Sequence, residues 1–233
     1  IEICIPSSVS KICSGAFLNC SYLTKVEFQP NSKLKIIESY AFSASSLKHF
    51  ILPPNTTKIC LSAFDFCTEL RQFEIPKNSK LETIEKDAFL STIIEELYFP
   101  DNLNELKEGW CNNMEKLTKI VISPSNNRFI FKDNNYLFGK TDFNSDNFDI
   151  LLLAQRNIKE AIIPSNVLII TACAFQCCRH IQKVEIPLNS NLLAIGKLAF
   201  QFSTIEQIYI PSSVSKIGEF AFHNCINLRK IDI

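Results

Sequence analysis

The chain has 233 residues, 46% of them hydrophobic, which is ample for a packed core and excludes a disordered chain. With 24 basic against 24 acidic side chains there is no global field to draw in nucleic acid or an anionic membrane, and no apolar run nears the roughly 20 residues that span a bilayer. Glycine is scarce, at 5 residues, and no glycine-rich phosphate-binding fingerprint is present.

The chain opens in mid-pattern on Ile1, and its one methionine is Met114, which predicts a piece of a longer protein. A six-residue phrase with apolar first, fourth and sixth places then recurs: LTKVEF from Leu23, LKHFIL from Leu47, LRQFEI from Leu70, IEELYF from Ile94 and LTKIVI from Leu117. The last three residues of each alternate in, out, in, the period of a strand with one buried face. A proline follows, directly or one residue on, and ends the strand because it cannot donate to a ladder. These prolines stand 23 or 24 residues apart from Pro6 to Pro124. One strand per coil, always in the same direction, can bury its face only against neighbouring copies, which predicts a mainly β solenoid with a parallel sheet.

After each proline come a second apolar pair, such as Val9 and Ile12 or Leu81 and Ile84, and then an Ala-Phe phrase. In Ala-Phe-x-x-Cys, Phe and Cys fall three apart, on one side of a short helical turn aimed into the coil. Short coils carry Cys20, Cys67, Cys178 or Cys225 there, and long coils with NSKL or NSNL carry Ser45, Thr92 or Ser203. The unit is thus a pair of about 47 residues. Coils spaced by roughly 4.8 Å put cysteines two coils apart about 10 Å from each other, beyond disulfide reach. Buried free thiols are expected.

Between Pro124 and Pro164 the spacing jumps to 40, marking an insertion at about 125–157. The array then resumes with IQKVEI from Ile181, IEQIYI from Ile205 and LRKIDI from Leu228. Within the insertion Asp142, Asn144 and Asp146 match the opening of a calcium loop, but Asn147 stands where Gly belongs and Leu153 where Glu belongs, so a polar turn is the expectation. Cys173, Cys177, Cys178 and His180 invite a zinc reading, yet the repeat assigns Cys173 and Cys178 to its interior. No His is placed with a nucleophile and an acid, and neither metal nor cofactor is called for. Asn19-Cys20-Ser21 and Asn55-Thr56-Thr57 match the glycosylation acceptor pattern.

The phrase IPSSVSKI...AF..C..L..I.I resembles the BspA-like leucine-rich repeats of bacterial and protozoan surface proteins, and the likeness covers nearly the whole chain. It implies one leucine-rich-repeat solenoid over 1–233, with a concave parallel sheet, short helical turns and loops on the convex side, and a hairpin-like insertion. Tyr136 and Ala154-Gln155 depart from the usual hairpin unit, and Gly109-Trp110 stands where Ala-Phe belongs. The resemblance also implies a non-enzymatic, cell-surface or secreted protein that binds an extracellular-matrix protein or other cells. An intracellular or periplasmic scaffold for a protein complex is the alternative.

If the sheet binds a protein partner, contact falls on the outward place between the last two apolar residues of each strand phrase. That column reads Cys4, Glu27, Ile51, Glu74, Tyr98, Val121, Ile162, Glu185, Tyr209 and Asp232. Exposed Tyr and Ile favour protein contact, and the acids would select a basic or amide-rich partner. The competing surface is the insertion tip, Asp142, Phe143, Asn144, Asp146 and Asn147.

Overall fold

The computed structural model describes residues 1–233, which form two compact units, Ile1–Asn127 and Arg128–Ile233. In the first, each six-residue phrase ends in a strand: Glu2–Ile5, Lys25–Phe28, His49–Ile51, Gln72–Glu74, Glu96–Phe99 and Lys119–Ile122. The first four pair in parallel and in chain order, as do the last two. Between Gln72–Glu74 and Glu96–Phe99 the strands touch without forming a ladder. The second unit repeats the arrangement with Glu160–Ile162, Lys183–Glu185, Gln207–Tyr209 and Lys230–Asp232.

The second apolar pair of each coil also forms a strand, two residues long. Lys11–Ile12, Ile36–Ile37, Lys58–Ile59, Thr83–Ile84 and Glu105–Leu106 make a second parallel ladder in the first unit. In the second unit its counterpart, Ile169–Ile170, Ala194–Ile195 and Lys216–Ile217, continues a sheet begun by the insertion. There Phe129–Lys132 pairs antiparallel with Tyr136–Gly139, which pairs antiparallel with Ile150–Ala154, which in turn runs parallel to Ile169–Ile170.

The Ala-Phe phrases are not helical. Each is a ribbon of consecutive turns, because two residues four apart take positive φ: Tyr40 and Ala44, Ser62 and Phe66, Cys173 and Cys177, Leu198 and Phe202, Phe220 and Asn224. A left-handed residue breaks a helix, so alternate N–H groups bond back three residues while those between reach the next coil. Ala63 N and Asp65 N donate to Cys60 O and Ser62 O, while Phe64 N and Phe66 N donate to Ala88 O and Leu90 O of the following coil. The turns thereby become a third line of hydrogen bonds between coils.

Aromatic rings fill the interior. Phe17, Phe42, Phe64 and Phe89 stack with centroids 5.1, 5.2 and 5.8 Å apart, and Phe50 and Phe73 stack at 5.4 Å beside them. The two columns meet edge-on, as in Phe50 against Phe64 at 4.8 Å, the offset geometry aromatic quadrupoles favour. In the second unit Phe175, Phe200 and Phe222 stack at 4.8 and 5.2 Å.

At GWCNN the frame differs from the sequence reading. Gly109 and Asn113 hold the two positive-φ places, so Trp110 occupies the Ala place and Cys111 the Phe place. Both are buried, and Trp110 meets Phe99 edge-on at 5.9 Å. Large for small and small for large conserves the volume of the layer.

Candidate functional site

In a parallel ladder without slips, equivalent residues align, so the outward places of the first strand ladder form columns. Cys4 pairs with Glu27, Ile51 with Glu74, Tyr98 with Val121, Ile162 with Glu185, and Tyr209 with Asp232. The column has exposed aliphatic side chains, Ile51 at 51% and Ile162 at 64%, and half-buried Tyr98 and Tyr209. Cys4, Glu27, Glu74, Val121, Glu185 and Asp232 are exposed.

Two clefts hollow this face of the first unit. One, of 860 Å³, is lined by Cys4, Glu27, Phe28, Pro30, Ile51, Pro53 and Pro76 among others; the second, of 520 Å³, adjoins it at Ile51 and Pro76 and includes Phe73, Glu74 and Tyr98. The second lies where the strand ladder is broken.

The places two residues earlier include Lys25, His49, Lys183 and Lys230, which lie against acids of the outward column. Lys25 Nζ lies 2.6 Å from Glu27, His49 Nε2 2.8 Å from Glu74, Lys183 Nζ 3.0 Å from Glu185 and Lys230 Nζ 2.9 Å from Asp232. Beside them Arg71 pairs with Glu95 at 2.6 Å and Lys119 with Glu96 at 2.9 Å. Such exposed pairs add little stability, and they engage acids of the column with side chains of the same face. The sequence reading saw the acids and not the bases that hold them.

The insertion tip is a polar turn. Asp142 Oδ1 accepts from Asn144 N at 2.9 Å, and Ser145 Oγ accepts from Asn147 N at 3.0 Å. Its Phe143 is 63% exposed, with the Arg128 guanidinium 3.9 Å over the ring. Burial lowers the Arg128 pKa from its ordinary value, against the opposing pull of Asp149. Tyr136, flagged as a departure, is buried and accepts the Ile162 N–H at its hydroxyl, 3.2 Å away, tying the insertion to the strand that presents Ile162.

All ten cysteines are free thiols. Cys67, Cys178 and Cys225 are buried as expected, whereas Cys20 is only half-buried. Cys173, Cys177 and Cys178 lie inside while His180 is exposed, and no three His, Cys, Asp or Glu side chains gather as a metal would require. At the sequon Asn55, Nδ2 donates to Ser32 O at 3.0 Å, a bond repeated by Asn102 to Ser79 O at 3.1 Å. The Asn55 amide nitrogen is therefore engaged in joining coils. No helix is long and apolar enough to cross a membrane.

Stacked coils with parallel ladders, an aromatic interior and a hollowed outward face define a leucine-rich-repeat solenoid. The chain matches the BspA type leucine rich repeat region over residues 1–118 and 152–233, in six copies, and belongs to that family. Among solved structures it is similar to the pneumococcal vaccine antigen PcpA (TM-score 0.84, 22% identity), covering 99% of this chain and 61% of that one. It is also similar to a leucine rich cell surface protein from Faecalibacterium prausnitzii (TM-score 0.71, 22% identity, 99% and 78% covered). A leucine-rich repeat protein from Eubacterium ventriosum gives the same TM-score of 0.71 at 22% identity, with 90% and 60% covered. At this identity the likeness is one of fold, and the chain spans 61% and 60% of the PcpA and E. ventriosum chains. No curated protein matches significantly.

Proposed function

We propose that the chain is a non-enzymatic, protein-binding scaffold that works at the cell surface or in secreted form, attaching to an extracellular-matrix protein or to other cells. The observation that carries the binding surface is the outward column of each unit, with Ile51 and Tyr98 in the first and Ile162 and Tyr209 in the second. Ile51 is 51% and Ile162 64% exposed at the outward place of strands whose inward neighbours, Phe50 and Ala161, are buried. Exposed apolar residues in a hollowed face are costly in water and are recovered by a partner. The surface location is supported by the family and by the cell-surface and vaccine-antigen descriptions of two similar structures.

A second contact surface has its own observation, Phe143, held out at the insertion tip beneath Arg128. A binding screen against mucosal extracellular-matrix proteins tests the proposal, followed by Tyr98→Ala with Tyr209→Ala set against deletion of residues 142–147. Loss of binding in the tyrosine variant, with melting unchanged, assigns the column. Loss only in the deletion moves the site to the tip. Binding confined to intracellular scaffold proteins favours the alternative location.

A further inference from the structure

Over the whole chain charge cancels, but at one edge of the first unit it does not. The edge is the stretch that joins the two strands of each coil. Residues 30–35, 53–57 and 76–82 carry Lys33, Lys35, Lys77 and Lys80, all exposed and none ion-paired, against Glu82 alone. On the neighbouring ladder Lys11 and Lys58 are held by Glu38 at 3.1 Å and Glu85 at 2.6 Å, so it neither adds to this charge nor cancels it.

Backbone geometry fixes the lysines outward. Ser32 Oγ accepts from Leu34 N at 3.3 Å and Ser79 Oγ from Leu81 N at 3.2 Å, and both leucines are fully buried. Lys33 N and Lys80 N donate to Ser7 O and Pro54 O of the preceding coils, at 3.0 and 2.8 Å. Both side chains thus stand at one place of the coil, between a buried Ser and a buried Leu, and face solvent. The ladder through Ile36–Ile37, Lys58–Ile59 and Thr83–Ile84 sets them two steps apart, about 9.6 Å at roughly 4.8 Å per step.

The second unit builds the same turn without the charge. Ser190 Oγ accepts from Leu192 N at 3.2 Å and Asn191 N donates to Ser165 O at 2.9 Å, so Asn191 holds the place of Lys33 and Lys80. Leu193 holds that of Lys35, and Leu188 follows Pro187 as Lys77 follows Pro76. The turn therefore forms without lysine, and folding does not explain the four in the first unit.

Lys80 lines the 860 Å³ cleft together with Asn31, Asn55 and Asn78. The other bases of that cleft, Lys25 and His49, are held by Glu27 and Glu74, which leaves Lys80 as its unpaired cation. The exposed Asn31 and Asn78 amides offer donors and acceptors suited to hydroxyl groups. No residue of 30–35, 53–57 or 76–82 is aromatic, so the edge gives nucleic-acid bases nothing to stack on. Ammonium groups meet oxyanions through charge-assisted hydrogen bonds. Fixed cations beside hydroxyl-binding amides call for an anionic sugar chain.

We infer that this edge of the first unit binds a sulfated glycan, with sulfates at Lys33 and Lys80, further charge met by Lys35 and Lys77, and sugar hydroxyls at the cleft amides. It does not rest on the outward column as a protein-binding surface. The test is fluorescence polarisation of the whole chain with a labelled heparin oligosaccharide, its desulfated counterpart and a single-stranded DNA of equal charge. The sulfated sugar is expected to bind at least about tenfold more tightly than either of the others, and to weaken as salt rises. Lys33→Gln with Lys80→Gln should weaken it by about tenfold at an unchanged melting temperature. Lys132→Gln with Lys159→Gln, at exposed lysines of the second unit, removes the same charge and should change affinity by less than about twofold. No binding of the heparin oligosaccharide, equal binding of the desulfated sugar or the DNA, or an equal loss in the two double variants overturns the inference.

Discussion

Cys67 Sγ lies 3.3 Å from Ser45 Oγ of the preceding coil and 3.0 Å from Phe42 O, to which the thiol donates. Cys225 repeats the arrangement with Ser203 at 3.4 Å and Phe200 O at 2.9 Å. The thiol hydrogen goes to the carbonyl, which leaves the serine hydroxyl to donate to sulfur. This is why Cys in one coil alternates with Ser in the next: the pair completes a small polar bridge inside an apolar stack. Burial pushes the Cys67 thiol up to about 11. At pH 8 it is protonated, and alkylation needs thiolate. Timed alkylation read by mass spectrometry should label exposed Cys4 and Cys13 at once, and Cys67 and Cys225 only as the chain unfolds. Cys67 reacting as fast as Cys13 would refute the bridge.

Phe64 is fully buried and touches four rings, Phe42, Phe50, Phe73 and Phe89. Truncation to Ala removes a link of one aromatic column and its edge contacts with the other, and should cost about 3–5 kcal/mol in denaturant unfolding. An unchanged midpoint would mean that the ring stack does not carry the core.

Asp65 is buried with Oδ1 unpartnered, and the equivalent place of the following coil is Leu90. The second unit fills the same line with Gln176, Gln201 and His223, linked at 2.7 and 3.1 Å. Burial raises the Asp65 pKa, partly offset by hydrogen bonds from Ser43 and Ser62. An acid whose folded pKa is raised is easiest to hold when protonated, so its contribution is fully present below the unfolded Asp range and is lost as pH rises through the folded value. Asp65→Asn should therefore melt higher than wild type at pH 7, and the gap should close as pH falls through the ordinary Asp range. A gap that widens at low pH would contradict the assignment.

Trp110 and Cys111 exchange the volumes that the other coils give to Ala and Phe. Trp110→Ala leaves a cavity and Cys111→Phe overfills its place, each at about 2 kcal/mol or more. Together they restore the common pattern, and the double variant should lose well under the sum. Additive losses in a double-mutant cycle would show that the two side chains do not share one layer.

The strand ladder was legible in the sequence because every coil writes the same burial alternation, and ten copies average out local noise. The turns were not. Positive φ at Tyr40, Phe66 and Leu198 is imposed by hydrogen bonds to the next coil, on residues that would not choose it alone. The frame at Gly109 was misread because Trp resembles Phe, whereas the conformational constraint marks the Gly. Half of the charge pairing was within reach, since Lys25 and Glu27 share a face at two residues apart. The pair His49 and Glu74 joins different coils and needs the fold.

The central claim is that the outward column is the binding surface, and two native thiols report on it directly. Cys4 is exposed in the column and lines the first cleft, whereas Cys13 is exposed beyond the end of the second ladder's Lys11–Ile12 strand. Alkylation rates of both, measured with and without saturating partner, separate the surfaces. The account predicts that bound partner slows Cys4 by at least about tenfold and leaves Cys13 unchanged. Protection of Cys13 alone, or of neither thiol while the partner is bound, would contradict it.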